Sequence, residues 1–151
     1  MKLIECVNPV KGKWRIRWDV QPEEDGTATY MEEEFGHKPT AEEIRQTIVG
    51  WYSRQTAAAI LSGFEYEGSM VWLSLENQLN YRAAQAVAVQ TGGETLPVTF
   101  KLGTDDEPVY KVFDSLDKLN DFCNQYVRYI QDVQATGWKK REALDLSLYE
   151  T

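Results

Sequence analysis

Polar and apolar residues alternate along the first forty positions, which is the pattern of β-strands with one buried and one solvated face. In the central strand, Lys13–Val20, one face carries Trp14, Ile16, Trp18 and Val20. The other face carries Arg15, Arg17 and Asp19. A shorter strand at Leu3–Val7 comes before it, and a third strand around Thr27–Phe35 follows an acidic turn. We expect an antiparallel meander over residues 1–38, with the tryptophans against a helix and the arginines in solvent, opposite Glu32-Glu33-Glu34.

The hydrophobic pattern changes to a helical period after Pro39. Thr40 and Glu43 have the spacing of a capping box, in which each side chain hydrogen-bonds the backbone N–H of the other residue. Apolar residues then recur at helical spacing as far as Leu61, and Gly63 is a typical helix-ending residue. The spacing predicts a long helix over residues 41–62.

A first hairpin–helix segment follows this helix. Phe64–Tyr66 pairs with Met70–Leu73, and Ser74 is placed to cap a helix that runs to about Thr91 and ends at Gly92-Gly93. Because this second helix is rich in alanine and valine, we expect it to be buried on more than one side.

A second hairpin–helix segment pairs Thr95–Leu102 with Val109–Phe113, and Asp114-Ser115 caps the last helix. The apolar stripe of this helix comprises Leu116, Leu119, Phe122, Cys123, Tyr126, Ile130 and Val133. We expect the stripe to pack on its own hairpin, with Tyr126 and Ile130 near the centre, and Gly137 to end the helix.

These elements predict a single α+β domain with the order βββ-α-ββ-α-ββ-α. The meander occupies residues 1–38, the long helix and the two hairpin–helix units occupy residues 39–144, and residues 145–151 form a C-terminal tail. A chain of 151 residues, 42% of them hydrophobic, can bury a core without disulfides or metals.

The formal net charge of −8, from 24 acidic and 16 basic residues, disfavours a nucleic-acid partner, because phosphate binding depends on basic side chains. Two basic stretches, Lys11–Arg17 and Lys139–Arg141, keep a nucleic-acid-binding regulator open as an alternative. No apolar run approaches the roughly 18 residues of a membrane span, and the N-terminus lacks a signal-peptide core. The expected compartment is the cytoplasm, or the virion.

Side chains that could carry chemistry are few. His37 is the only histidine, and we expect it in an exposed loop. Cys6 and Cys123 are far apart, and we expect both to be reduced and buried like small hydrophobic residues. These residues are too few for a zinc site, and we find no catalytic, metal or cofactor motif. The sequence therefore predicts a non-enzymatic protein without a cofactor.

Three acidic clusters occupy residues 23–25, 32–34 and 105–107. None has the staggered oxygen spacing of a calcium loop, and we expect them to solvate turns and pair with arginines. A small enzyme remains an alternative, because carboxylates and tyrosines can meet in the fold without a sequence signature.

One segment that crosses from strand into helix groups three amide side chains with two aromatic residues. Its members are Trp72, Asn77, Gln78, Asn80 and Tyr81. Asparagine is a poor helix former, so these amides have a local purpose. They either satisfy backbone groups of the adjoining hairpin or form a polar contact surface beside the two aromatic residues.

Several stretches of the C-terminal half carry a family resemblance. They are Ile60–Ser74, Glu76–Tyr81, Thr95–Lys101, Val109–Phe113, Tyr129-Ile-Gln and Gly137-Trp138. In these stretches, residues 60–144 resemble a domain of unknown function in phage and prophage proteins that is often encoded near tail-fibre genes. The resemblance implies a structural, tail-associated or assembly protein that acts through contacts with a protein partner or with copies of itself. It carries over no catalytic residues.

Overall fold

A computed structural model describes residues 1–151, which divide into two compact units. The sheet unit comprises Met1–Ser53 and Lys140–Thr151, and the hairpin unit comprises Arg54–Lys139. The strands are β1 (Ile4–Asn8), β2 (Lys13–Pro22), β3 (Ala28–Phe35), β4 (Phe64–Tyr66), β5 (Ser69–Val71), β6 (Val98–Gly103) and β7 (Pro108–Phe113). The helices are α1 (Ala41–Ser62), α2 (Leu75–Gln90), α3 (Leu116–Glu142) and a short 3-10 helix (Leu146–Tyr149). This order confirms the predicted α+β fold class.

The meander of the sheet unit has the predicted antiparallel order, β1-β2-β3. The apolar face of β2 is buried, because Ile16 is inaccessible and Trp18 is 5% exposed. Both residues share a core with Ile44 and Ile48 of α1. The prediction that this face of the sheet packs on a helix is therefore confirmed.

The arginines of β2 lie on the opposite face, but they are less exposed than the alternation predicts. Arg15 is paired with Glu34 and Arg17 with Glu32 in the strand register, which confirms the expected glutamates opposite them. Glu5 accepts hydrogen bonds from both guanidinium groups. The arginine side chains are only 23% and 12% exposed, because paired carboxylates cover them.

A β-bulge interrupts β2 after Trp18, so the predicted alternation through Val20 is wrong at its end. The register with β3 shifts between Trp18 and Gln21. Asp19 has a φ of 52°, which is a left-handed conformation that non-glycine residues seldom adopt. The bulge turns Asp19 and Val20 away from the regular alternation, and both line one groove with Trp18.

The capping box at the start of α1 is confirmed. The backbone N–H of Glu43 donates to Thr40 Oγ1 at 3.2 Å, and the backbone N–H of Thr40 donates to Glu43 Oε1 at 3.1 Å. The C-terminal residues also fold onto the sheet unit, where Tyr149 is buried and its hydroxyl donates to the carbonyl of Arg17 at 2.5 Å.

The core of the hairpin unit is built largely from aromatic rings. Phe122 of α3 is inaccessible to solvent, and its ring centroid lies 5.1–5.7 Å from five other rings. Those rings belong to Tyr66, Tyr81, Phe100, Phe113 and Tyr126. The expected packing of the α3 stripe on its own hairpin is confirmed. Phe122 lies at the centre, whereas Ile130, which we expect there, is only half-buried.

Two glycines have roles that differ from the predicted helix ends. α3 continues to Glu142, so Gly137 lies inside the helix, where a Cβ would collide with the Thr56 side chain. At Gly63 a Cβ would lie 2.5 Å from the Ala59 carbonyl oxygen and still closer to the Tyr129 hydroxyl. Both glycines permit close approach between elements of the hairpin unit.

Two burial expectations are wrong. Cys6 is exposed, whereas Cys123 is buried as expected, and burial raises the pKa of its thiol to about 11. α2 buries only Tyr81 and Ala88, so its apolar character on a second side is not accounted for within the hairpin unit.

Candidate functional site

The predicted contact residues separate into a buried group and an exposed group. Tyr81 is 4% exposed and belongs to the aromatic core, so it cannot contribute to a surface. Asn77 Nδ2 donates to the Trp72 carbonyl at 2.8 Å, and Gln78 Nε2 donates to the Leu73 carbonyl at 2.9 Å. These two amides therefore satisfy the backbone that leads out of the hairpin.

Trp72 and Asn80 are exposed, and they are the two predicted residues that remain available for an outside contact. Asn77 also contributes its backbone N–H to the N-cap of α2, where it donates to Ser74 Oγ at 3.1 Å. The hydrogen bonds of Asn77 and Gln78 therefore mainly stabilise the start of α2.

Four of the exposed apolar residues of α2 form a continuous stripe, which we call the α2 stripe. It comprises Leu75, Leu79, Ala83 and Ala86. Leu75 is 80% and Leu79 is 65% exposed, which are high values for leucine. Their spacing along α2 places all four on one side of the helix. The apolar composition of α2 is visible in the sequence, but composition alone does not assign this side of the helix.

A groove continues the apolar surface from α2 onto α3 within the hairpin unit. It has a volume of about 330 Å³ and is lined by Leu75 and Leu79 together with Val127 and Ile130 of α3. Arg82 is the one charged side chain in its lining. The α2 stripe and this groove together make an exposed apolar surface with a single cationic side chain.

The sheet unit holds a second candidate, which we call the bulge groove. Its volume is about 450 Å³, within the range of small-molecule sites. Much of its lining is apolar, and Trp18, Ile48 and Leu148 contribute to it. The polar side chains that reach it are Asp19, Tyr52, Lys140, Asp145 and Tyr149.

The polar groups of the bulge groove differ in how far they are already engaged. Asp145 accepts from the backbone N–H and the hydroxyl of Ser147, at 3.0 and 2.6 Å, and these bonds lower its pKa. Asp19 accepts a long hydrogen bond from Gln21, at 3.4 Å, and also interacts with the Tyr52 hydroxyl, so both of its partners are uncharged. Burial, and then the charge of Asp19, raises the pKa of Tyr52. Asp19 is therefore the less engaged carboxylate of the groove.

Two further features of this site are strained or unsatisfied. Asp19 adopts its left-handed φ without being glycine, and such residues tend to occur at functional sites. The indole Nε1–H of Trp18 is buried without a hydrogen-bond partner.

Tyr149, in contrast, is a satisfied group of the groove. Burial raises the pKa of Tyr149 to about 12, so its hydroxyl stays protonated and hydrogen-bonded at neutral pH.

The remaining candidates have structural explanations. His37 is exposed as expected, and its Nε2 lies 2.7 Å from Glu43 Oε2, beside the capping box. Arg15 and Arg17, half of the first basic stretch, are paired with glutamates and so are less available to phosphate. The structure shows no group of three or more side chains placed to hold a metal ion.

No family model matches the chain, and no curated protein or solved structure matches it significantly. The resemblance to the phage-associated domain thus stays a hypothesis. None of the helices combines the length and the hydropathy that a membrane span requires.

Proposed function

We propose that this chain is a non-enzymatic structural or assembly protein that acts through protein–protein contacts, and that its first partner is a second copy of itself. The α2 stripe is the observation that carries the proposal. Two leucines with 80% and 65% of their surface in water are costly to leave exposed, since apolar surface gains free energy on burial. Exposed apolar stripes of this kind are typical of contact surfaces.

The residues of α2 are self-complementary in an antiparallel pairing. If two copies of α2 cross at Leu79, the spacing sets Glu76 of one copy against Arg82 of the other, twice by symmetry. The same pairing sets Leu75 against Ala83, a large side chain against a small one. All of these residues lie within about a third of the helix circumference. Charge and shape therefore favour a second copy over an unrelated partner.

The groove beside α2 extends the surface that such a contact would cover. A specific interface buries roughly 800 Å² on each partner, more than one helix stripe supplies. Val127, which is 39% exposed and lines the groove, continues the apolar area beside the stripe.

The family resemblance supplies the biological setting of the proposal. A phage-derived structural, tail-associated or assembly protein works through repeated contacts between subunits, and self-association through α2 would provide one of them. The acidic net charge and the paired arginines of β2 favour this setting over nucleic-acid binding.

Sedimentation velocity over a range of protein concentrations tests the proposal. We expect the wild-type chain to form dimers and the Leu75→Gln/Leu79→Gln variant to remain a monomer at the same concentrations. Glutamine keeps the helix propensity of leucine, so the change removes apolar surface and not helical structure. The matched control is Val87→Gln/Val89→Gln, which removes two exposed valines from α2 outside the stripe.

Exchange of the charges at Glu76 and Arg82 distinguishes the symmetric pairing from nonspecific apolar association. Glu76→Arg alone and Arg82→Glu alone should each weaken the dimer, because they place like charges together. The double exchange should restore it. A wild-type chain that is monomeric at every concentration, or a double exchange as weak as the single ones, would refute the proposal.

A further inference from the structure

We propose that the bulge groove of the sheet unit binds a small organic cation, an ammonium group with apolar substituents. This inference is independent of self-association through α2. It begins with the lining of the groove, which combines a mostly apolar surface with five polar side chains, as small-molecule sites combine apolar walls with placed polar groups.

The charge of the ligand follows from the carboxylate that is left without a strong partner. Asp145 caps the 3-10 helix, whereas the partners of Asp19 are the uncharged side chains of Gln21, at 3.4 Å, and Tyr52. Lys140 also lines the groove, and it is exposed, so its flexible chain can keep the ammonium in water. A cationic ligand beside Asp19 would supply the ion pair that Lys140 does not form with it.

The apolar substituents follow from the aromatic lining. Trp18, Tyr52 and Tyr149 all line the groove with Asp19. Aromatic rings attract cations through their quadrupoles, and they do so most effectively for ammonium groups whose methyl substituents lower the cost of desolvation. A carboxylate with three aromatic rings therefore suits an alkylated ammonium better than an inorganic cation, which would need several oxygen ligands.

The bulge explains why the carboxylate reaches this position. In a regular strand Asp19 would lie on the same face as Arg15 and Arg17. The left-handed backbone at Asp19 removes it from that alternation and brings it into the groove lining. The strained backbone therefore keeps the Asp19 carboxylate away from Arg15 and Arg17, which would neutralise its charge.

The test compares choline with its uncharged isostere 3,3-dimethyl-1-butanol by ¹H–¹⁵N NMR, observing the indole N–H resonance of Trp18. We expect a saturable shift with choline, and binding at least about tenfold weaker for the isostere. Asp19→Asn should also weaken choline binding at least about tenfold. Asparagine tolerates left-handed φ, so the substitution removes charge and preserves the bulge.

The matched control is Glu24→Gln, which removes one negative charge from an exposed loop of the same unit. It should leave the choline titration unchanged, and the spectrum of Asp19→Asn away from the groove should match that of the wild type. Equal binding of choline and its isostere, equal loss in both variants, or no saturable shift in the wild-type chain would each overturn the proposal.

Discussion

The sheet unit and the hairpin unit bury their cores with different side chains and leave different surfaces. The sheet unit packs isoleucines and tryptophans between β2 and α1, and it covers its outer face with ion pairs. The hairpin unit packs a cluster of aromatic rings around Phe122. It leaves the leucines of the α2 stripe in water.

This difference separates residues that hold the chain together from residues that are free to act. In the sheet unit the arginines on the outer face of β2 have carboxylate partners within the chain, whereas Asp19 interacts only with uncharged side chains. In the hairpin unit the apolar residues exceed what one core can cover, and the excess is concentrated on one side of α2. The sheet unit therefore presents a carboxylate without a cationic partner, and the hairpin unit presents an exposed apolar stripe.

The largest expected effect is the loss of Phe122, which tests whether the aromatic cluster dominates the hairpin unit. Phe122→Ala should lower the free energy of unfolding by ~3–5 kcal/mol, because it removes contacts with five rings and leaves a cavity. Ile130→Ala should cost less than the ~2–5 kcal/mol of a fully buried isoleucine, since Ile130 is half-buried. Denaturant melts measure both.

Arg128→Ala is the control for this pair, because Arg128 is exposed on α3 and surface changes usually stay within about 0.5 kcal/mol. If Ile130→Ala lowered the free energy of unfolding as much as Phe122→Ala, Phe122 would not be the centre of the core.

A smaller effect is expected at Gly63, where two elements of the hairpin unit approach closely. Ala59 accepts hydrogen bonds from the Gly63 backbone at 2.9 Å and from the Tyr129 hydroxyl at 2.5 Å. A Cβ at Gly63 would collide with both oxygens, so Gly63→Ala should destabilise the fold by roughly 1–3 kcal/mol. Thermal or denaturant unfolding is the measurement.

Gly36→Ala provides the comparison in the sheet unit. No atom lies within 4 Å of a Cβ built there, and its φ is outside the left-handed region. It should be neutral or slightly stabilising, because alanine restricts the unfolded chain. If Gly63→Ala were as stable as Gly36→Ala, the close approach of Ala59 and Tyr129 to Gly63 would not limit the side chain at that position.

Local patterns predicted the elements of both units, because their causes lie within a few residues of each other. The alternation in β2, the capping box of Thr40 and Glu43, and the end of α2 at Gly92-Gly93 all depend on neighbours in sequence. Non-local contacts decided the rest. Gly137 has the pattern of a helix end, but Thr56 makes it a point of close approach inside α3.

The candidate sites were less predictable for the same reason. The alternation of β2 passes through Asp19 without a break, and only the pairing with β3 reveals the bulge. The amides of Asn77 and Gln78 indicate a special purpose at the start of α2, and the structure shows that they donate to the carbonyls of Trp72 and Leu73. The apolar composition of α2 indicated a second covered side. In the single chain that side is exposed, and composition alone does not show whether a second copy covers it.

The smallest expected effect concerns Glu5 and tests whether the ion pairs contribute to the stability of the sheet unit. A hydrogen bond from Arg15 is the main cause that holds the pKa of Glu5 below its ordinary value of 4.5, and the charge of Arg17 adds to it. A carboxyl with a lowered pKa stabilises the folded state above the pKa of the unfolded chain. That contribution is lost as the pH falls from about 4.5 through the folded pKa.

Glu5→Gln should therefore be less stable than the wild type at pH 7, and the difference should shrink on acidification and in high salt. Glu33→Gln, at an exposed position of β3 without an ion pair, should show neither dependence. Unfolding curves from pH 7 to about pH 3 measure the difference. A gap between wild type and Glu5→Gln that stays constant with pH would assign the stability to packing of the Glu5 side chain and not to its charge.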